Sequence, residues 1–311
     1  MITVRDLRVD FDNVCAVHDL SFEVGPGVVF GLIGPNGAGK TTTMRSILGL
    51  IEPTYGDIRV GDIDIIENPE EGSRHIGFMP DFPPMYEDMV VWEFLDLFAA
   101  SYYVPRHQRP DVIEKYLQLC GLWEKRDSFI PELSRGMRQR LMLAKTLIPD
   151  PQVIILDEPA SGMDPHGRID LKNILRSLAA RGKAVLVSSH ILSEMSEFCS
   201  AVGIMERGRM VVNGAVEDIS RKVMGKAVQT LELLETDRTE ALLSLLGRDK
   251  LAGPVNDLGN GRYEFTYDGA APEAADLLKR LVNAGLPVVS FVRKKEGLEE
   301  LFLKVGAREL S

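Results

Sequence analysis

Short apolar runs broken by glycine and proline open the chain. Residues 20–24 and 28–33 flank Gly25, Pro26 and Gly27, which predicts two strands around a turn. Residues 40–49 have helical spacing, with Gly49 as the stop. Residues 55–60 and 62–65 on either side of Gly61 predict a hairpin, and 76–79 a short strand ending at Pro80.

From residue 88 to 147 the period changes to that of helices. Val91, Leu95, Phe98 and Tyr102 fall on one helical face. Val112, Ile113, Tyr116, Leu117 and Cys120 make a second face, and Met137, Leu141, Ala144 and Ile148 a third. Trp92, Phe94, Phe98, Tyr102 and Tyr103 fit a core or an interface better than a cofactor box. Strands resume at 153–156, 184–188, 201–206 and 209–213, with helices at 168–181 and 191–199 between the first three. That β-α-β-α alternation implies a buried parallel sheet. The helical stretch, about 83–149, is therefore an insert within one α/β domain covering 1–222.

A second domain is expected at 226–311. It reads as a strand at 228–235, a helix at 238–247, and strands at 251–257 and 262–267 around Gly259, Asn260 and Gly261. A helix at 272–284, a strand at 287–293 and a closing helix at 297–305 follow. The order β-α-β-β-α-β predicts a small ferredoxin-like α+β fold.

Composition narrows the class. The chain has 311 residues, long enough for two domains, and 45% apolar with 26% charged residues is globular. Thirty-six basic against 46 acidic side chains give a net charge of −10, which argues against a nucleic-acid partner. Cys15, Cys120 and Cys199 show no metal or disulfide spacing and read as plain thiols. The N-terminus has no apolar core of a secretory signal, and no run reaches the roughly 18–20 apolar residues of a spanning helix. Action at a membrane would need another chain to cross it.

The chemistry concentrates in three places. Gly34, Pro35, Asn36, Gly37, Ala38, Gly39, Lys40 and Thr41 match G-x-x-x-x-G-K-[ST] between an apolar strand and a helix, with Thr42 following. Glycines let backbone N–H groups converge on phosphate oxygens, and the helix adds its positive end. Lys40 would reach the β- and γ-phosphates and the Thr41 hydroxyl would ligate Mg²⁺. The rival, a glycine turn with a solvated lysine, does not need this strand–loop–helix setting. Next, the run 153–156 ends in Asp157 and Glu158, beside the crevice of a parallel sheet. Asp157 suits the Mg²⁺ shell and Glu158 suits orienting or deprotonating the attacking water. An acidic pair also ends strands at solvent; the phosphate loop favours the catalytic reading. Third, His190 ends the next apolar strand, where imidazole would contact a γ-phosphate and align water.

Over about residues 2–218 these features resemble the ATP-binding subunits of ABC transporters. Leu133, Ser134, Arg135, Gly136, Met137, Arg138, Gln139 and Arg140 resemble the family signature, with Arg135 at its usual second glycine and Met137 at its usual glutamine. The resemblance implies that Ser134 and Gly136 contact a γ-phosphate. Ser161, Gly162, Met163 and Asp164 resemble the loop that runs beside the dimer interface. Phe11 stands where the family stacks an aromatic on adenine, and stacking needs only a π-face. Asp81 stands where the family usually has a Mg²⁺-coordinating glutamine; its carboxylate is still a hard oxygen ligand.

The fold so implied is an α/β P-loop NTPase core of ABC type with a helical insert and a C-terminal α+β domain. The resemblance is greatest to the type-2 exporter branch, of the drug, sodium or polysaccharide type. It implies a Mg²⁺-dependent ATPase with ATP and Mg²⁺ as cofactors, a homodimer or paired ABC subunit, and a separate transmembrane permease subunit. It places the chain peripherally at the cytoplasmic face of the cell membrane, with no nucleic acid expected. The alternatives are a soluble ABC-type ATPase of translation or DNA repair, a regulatory ATP-binding module with vestigial hydrolysis, and an importer subunit.

Overall fold

The computed structural model describes residues 1–12, 14–81, 85–191, 195, 198–216, 218, 219, 227–234 and 238–294. The chain forms two compact units, Met1–Val216 and Glu217–Ser311.

One sheet of the first unit is antiparallel. It sets β2 (Val14–Val24), β1 (Ile2–Phe11), β4 (Tyr55–Val60) and β5 (Ile63–Asp64) side by side. Hydropathy alone does not reveal β1. Ile2, Val4, Leu7 and Val9 are all buried, but the step from Val4 to Leu7 breaks the period of two. The register shifts there, with Asp6 at φ 48° and its N–H bonded to Ser21 Oγ at 2.8 Å. A bulge adds one residue and puts the apolar positions out of phase.

The other sheet is built from β3 (Val29–Ile33), β6 (Ile76–Met79), β7 (Val153–Leu156), β8 (Ala184–Ser189), β9 (Ala201–Glu206) and β10 (Arg209–Ala215). Its order is β10-β9-β3-β8-β7-β6, parallel except for β10 at the edge. Every residue of β3, β7 and β8 is buried, as a parallel sheet covered on both faces requires. Each fully buried Val, Ile or Leu of β7 stabilises the fold by roughly 1.5–3 kcal/mol relative to an exposed one. Because β3, β8 and β7 are parallel neighbours, their C-terminal ends form one rim.

Helices α1 (Lys40–Ile47) and α2 (Pro69–Ser73) precede the insert, which lies between β6 and β7 and contains α3 (Val91–Ser101), α4 (Arg109–Leu119) and α5 (Arg135–Leu147). Helix α6 (Pro165–Ala180) connects β7 to β8. The buried face of α3 is Val91, Phe94, Leu95 and Ala99. Phe98 is half-buried and Tyr102 exposed, so the predicted stripe is displaced at its end. Trp92 and Tyr103 are exposed too, and among the five aromatics only Phe94 is core.

The second unit runs β11 (Ala227–Leu233), a helix at Thr239–Arg248, β12 (Ala252–Gly259), β13 (Arg262–Tyr267), a helix at Ala271–Asn283 and β14 (Val288–Lys294). Its antiparallel sheet has the order β12-β13-β11-β14, and Leu231, Tyr263, Phe265 and Tyr267 pack with Leu242, Leu246, Leu277 and Leu281. The closing helix predicted at 297–305 and most of that at 191–199 lie outside the described residues. Among the described residues no helix is long and apolar enough to cross a membrane.

Candidate functional site

The phosphate loop connects β3 to α1. Gly39, at φ 98°, forms the N-cap of α1 and supplies no side-chain cap, and the first turn holds no acid. The N-terminal N–H groups of α1 are thus left for an anion. A Cβ on Gly39 would stand 2.6 Å from the Ala16 carbonyl, so only glycine fits. The Lys40 side chain is buried, and its ammonium donates to the carbonyls of Gly34 at 2.7 Å and Pro35 at 3.3 Å. Asn36, Gly37, Ala38, Gly39, Lys40, Thr41 and Thr42 line a cleft of about 670 Å³.

The acidic pair meets this loop at the end of β7. Asp157 is buried, and its Oδ2 accepts from Thr41 Oγ1 at 2.9 Å. Its Oδ1 accepts from Ser188 Oγ at 2.5 Å, and the Glu158 N–H donates to the same Ser188 oxygen at 2.9 Å. Glu158 turns out of the strand at φ 50°. Its Oε1 lies 3.6 Å from Lys40 Nζ and its Oε2 lies 2.8 Å from His190 Nδ1. The strand-end turn aims both acids at the loop, although successive strand side chains would point apart. An ionised Glu158 only accepts, so in a neutral imidazole Nδ1 carries the hydrogen and Nε2 stays an acceptor.

Asp81 follows β6 and lines the same cleft. Burial, then Glu158 and Asp157, push its carboxyl above the ordinary range, while Arg135 and His190 oppose the shift. Its buried Oδ1 has no hydrogen-bond partner among the described residues. No cluster of three or more His, Cys, Asp or Glu side chains stands ready for a metal among them either. That donor set suits Mg²⁺, which takes one or two carboxylates, a hydroxyl and substrate phosphates rather than a protein cage. Thr41, Asp157 and the unpaired oxygen of Asp81 fit it.

Phe11 ends β1 and lines the same cleft, 46% exposed. An exposed ring lining a cleft is available for stacking. Ser134 and Gly136 do not line this cleft. Ser134 is exposed at the N-cap of α5, its Oγ accepting from Met137 N–H at 3.3 Å. The structure therefore joins Phe11, the loop, Asp81, Asp157, Glu158 and His190, and leaves Ser134 and Gly136 outside the cleft.

Ser188 joins the two acids and was not a candidate from the sequence. The available signal is a hydroxyl, wholly buried, at the end of an apolar strand. Arg45, one turn after Thr41 on α1, also lines the cleft.

The ABC transporter family profile matches residues 17–161. The Nod factor export ATP-binding protein I of Burkholderia pseudomallei strain 1710b is 34% identical, over 99% of this chain and 98% of that protein. The solved structure of an ATP-binding subunit of an ABC transporter is 31% identical, with a TM-score of 0.64 over 71% of this chain and 92% of that one. A dimeric ATP-binding cassette in a post-hydrolysis state bound to ADP and Pi shares the fold, with 20% identity and a TM-score of 0.63 over 70% of this chain and 99% of that one.

Proposed function

This chain belongs to the ABC transporter family as an ATP-binding, ATP-hydrolysing subunit, and from that premise we propose that it powers an exporter. The export reading draws on the match along nearly the whole length of a relative named for export. One observation carries the chemistry: Lys40, Glu158 and His190 form one line of contacts beside the uncapped end of α1.

In this reading Lys40 and the 34–41 backbone hold the β- and γ-phosphates, and Phe11 stacks on adenine. Glu158 orients and deprotonates the attacking water, and His190 holds that carboxylate beside the γ-phosphate. Thr41, Asp157 and Asp81 would hold Mg²⁺, which would supply charge neutralisation at the phosphates. Ser134 and Gly136 serve the nucleotide of a second copy or paired ABC subunit, packed head to tail. Closure of the pair drives a separate membrane-spanning subunit from the cytoplasmic face, and that subunit selects the cargo. The 226–311 domain is accessory to this cycle.

Affinity purification of the tagged chain from detergent-solubilised membranes tests the proposal. A chain rich in apolar 20-residue runs should co-purify, and Glu158→Gln should abolish ATP-dependent efflux from cells. Recovery of ribosomes or DNA with no membrane protein would overturn it in favour of a soluble ATPase.

A further inference from the structure

Arg135 puts a long cation where the signature-like segment resembles a glycine motif. It is the first residue of α5, next to the Ser134 cap. Its guanidinium lies against Gly162: a Cβ built there would stand 2.3 Å from Arg135 Cζ and 2.5 Å from Nε and Nη1. The guanidinium thus fills the space that any side chain at 162 would need. Arg135 Nη2 also reaches Ser161 Oγ at 3.5 Å, the outer limit of a hydrogen bond. Gly136 faces the same stretch, with a built Cβ 3.9 Å from both Asp164 Oδ1 and Met163 Cγ.

That stretch is itself anchored. Ser161 N–H donates to the Glu158 carbonyl at 3.0 Å, and Asp164 caps α6 by accepting from Gly167 N–H at 3.2 Å. Contacts therefore run without a break from the Ser134 turn, through Arg135 and Gly162, to the acidic end of β7.

We propose that Arg135 is a positioning residue for hydrolysis: laid over Gly162, it fixes the 134–136 loop against the 161–164 loop of the same chain. Ser134 and Gly136 are then presented in set register with Glu158. This rests on the reading that Ser134 and Gly136 face a nucleotide held by another copy. Arg135 is exposed, and exposed polar contacts add little to stability. Its effect belongs in turnover, because a misplacement of about 1 Å can cost on the order of a hundredfold in rate. Lysine keeps the charge but lacks the planar guanidinium that fills the space beside Gly162.

The test uses the full-length chain, with steady-state ATP hydrolysis and thermal unfolding measured on each variant. Arg135→Ala should lower kcat about tenfold, with KM within about twofold and an unchanged melting temperature. Gly162→Asn tolerates the φ of 69° better than other side chains, yet its Cβ displaces the guanidinium. It should lower kcat similarly, and the double variant should be no slower than the slower single one. Arg135→Lys should stay as slow as Arg135→Ala.

Multiplying effects in the double variant, full recovery with lysine, or a wild-type kcat in Arg135→Ala would overturn the proposal. So would a fall in melting temperature large enough to account for the lost rate. Should Gly162→Asn fail to fold, the alanine and lysine variants of Arg135 decide alone. Ser134→Arg separates the two readings. If it abolishes turnover while Arg135→Ala does nothing, only the Arg135 role fails; if both leave turnover intact, the facing-nucleotide reading has failed.

Discussion

At the scale of single residues, Glu158 and Asp81 carry the sharpest expectations. Glu158 sits between Lys40 and His190, so its carboxylate holds both a cation and an imidazole. Glu158→Gln keeps the shape and removes the base. ATP affinity should stay within a few-fold, while turnover falls by roughly 10²–10⁴; near-normal hydrolysis would remove Glu158 from the base role. Asp81 behaves differently, because its carboxyl is raised by burial and by its acidic neighbours. A raised folded-state pKa means that the folded chain binds more protons than the unfolded one above pH 3.8. Stability is lost as pH rises from there through the folded pKa. Asp81→Asn should therefore raise the melting temperature of the ligand-free protein at pH 7 and leave it unchanged below about pH 3.8. It should also shift the Mg²⁺ dependence of hydrolysis more than the ATP affinity. An unchanged melting temperature at both pH values together with an unchanged Mg²⁺ titration would place Asp81 outside the metal site.

At the scale of elements, the site depends on how β3 hands over to α1. Gly34 N–H donates to the Ser189 carbonyl of β8 at 3.2 Å, and a Cβ on Gly34 would stand 2.4 Å from the Met205 carbonyl of β9. A backbone oxygen inside a sheet cannot swing aside as a side chain can. Gly34→Ala should destabilise the fold by about 1–3 kcal/mol, the usual size of overpacking. It should also weaken ATP binding more than tenfold by moving the carbonyl that holds Lys40. Titration with a fluorescent ATP analogue alongside thermal unfolding checks both, and normal affinity would mean the loop tolerates the shift. The helical insert shows the limit of periodicity. The α3 spacing sets Phe98 and Tyr102 on one face with Val91 and Leu95, yet the buried positions are Val91, Phe94, Leu95 and Ala99. Phe98 instead meets Phe94 edge-on at 4.9 Å and carries Lys145 Nζ 4.8 Å from its ring centre. Spacing fixes the axis of a helical face; the neighbouring helix decides its width.

At the scale of the whole molecule, the proposed head-to-tail pair makes a prediction about mixed dimers. If each ATP lies between Lys40 of one chain and Ser134 of the other, Lys40→Ala on one chain and Ser134→Arg on its partner damage the same site. One site then remains whole and some hydrolysis should persist. Both lesions on one chain beside a wild-type partner damage both sites and should leave almost none. Differently tagged chains purified in both arrangements and assayed for phosphate release decide between them, and more activity with both lesions on one chain would reject the shared site. The two-unit organisation adds a second test. The residues of the cleft all lie within Met1–Val216, so a chain ending near residue 224 should still bind ATP. A soluble truncated protein without ATP binding would show that the second unit is needed for the site.

The order of the elements and the chemistry of the cleft are legible in the amino-acid chain before any folding. A glycine loop between an apolar run and a helix, then an acid pair and a histidine each ending a further apolar run, are local patterns that need no partner to be read. Local rules also gave the β-α-β-β-α-β succession of the second unit. What they could not give is anything that depends on residues far apart in the chain. Strand β1 escaped because its bulge at Asp6 breaks the alternation by which strands are recognised. Ser188 joins Asp157 to the Glu158 backbone only because β7 and β8 are parallel neighbours, a pairing set by the crossover through α6. The Asp81 oxygen without a partner among the described residues and the guanidinium over Gly162 likewise arise where separate loops meet at the rim of one sheet. Periodicity and motif spacing encode backbone geometry over a few residues. Register, burial and the mutual approach of charges follow from how the strands are ordered in space, and the tertiary structure alone decides that.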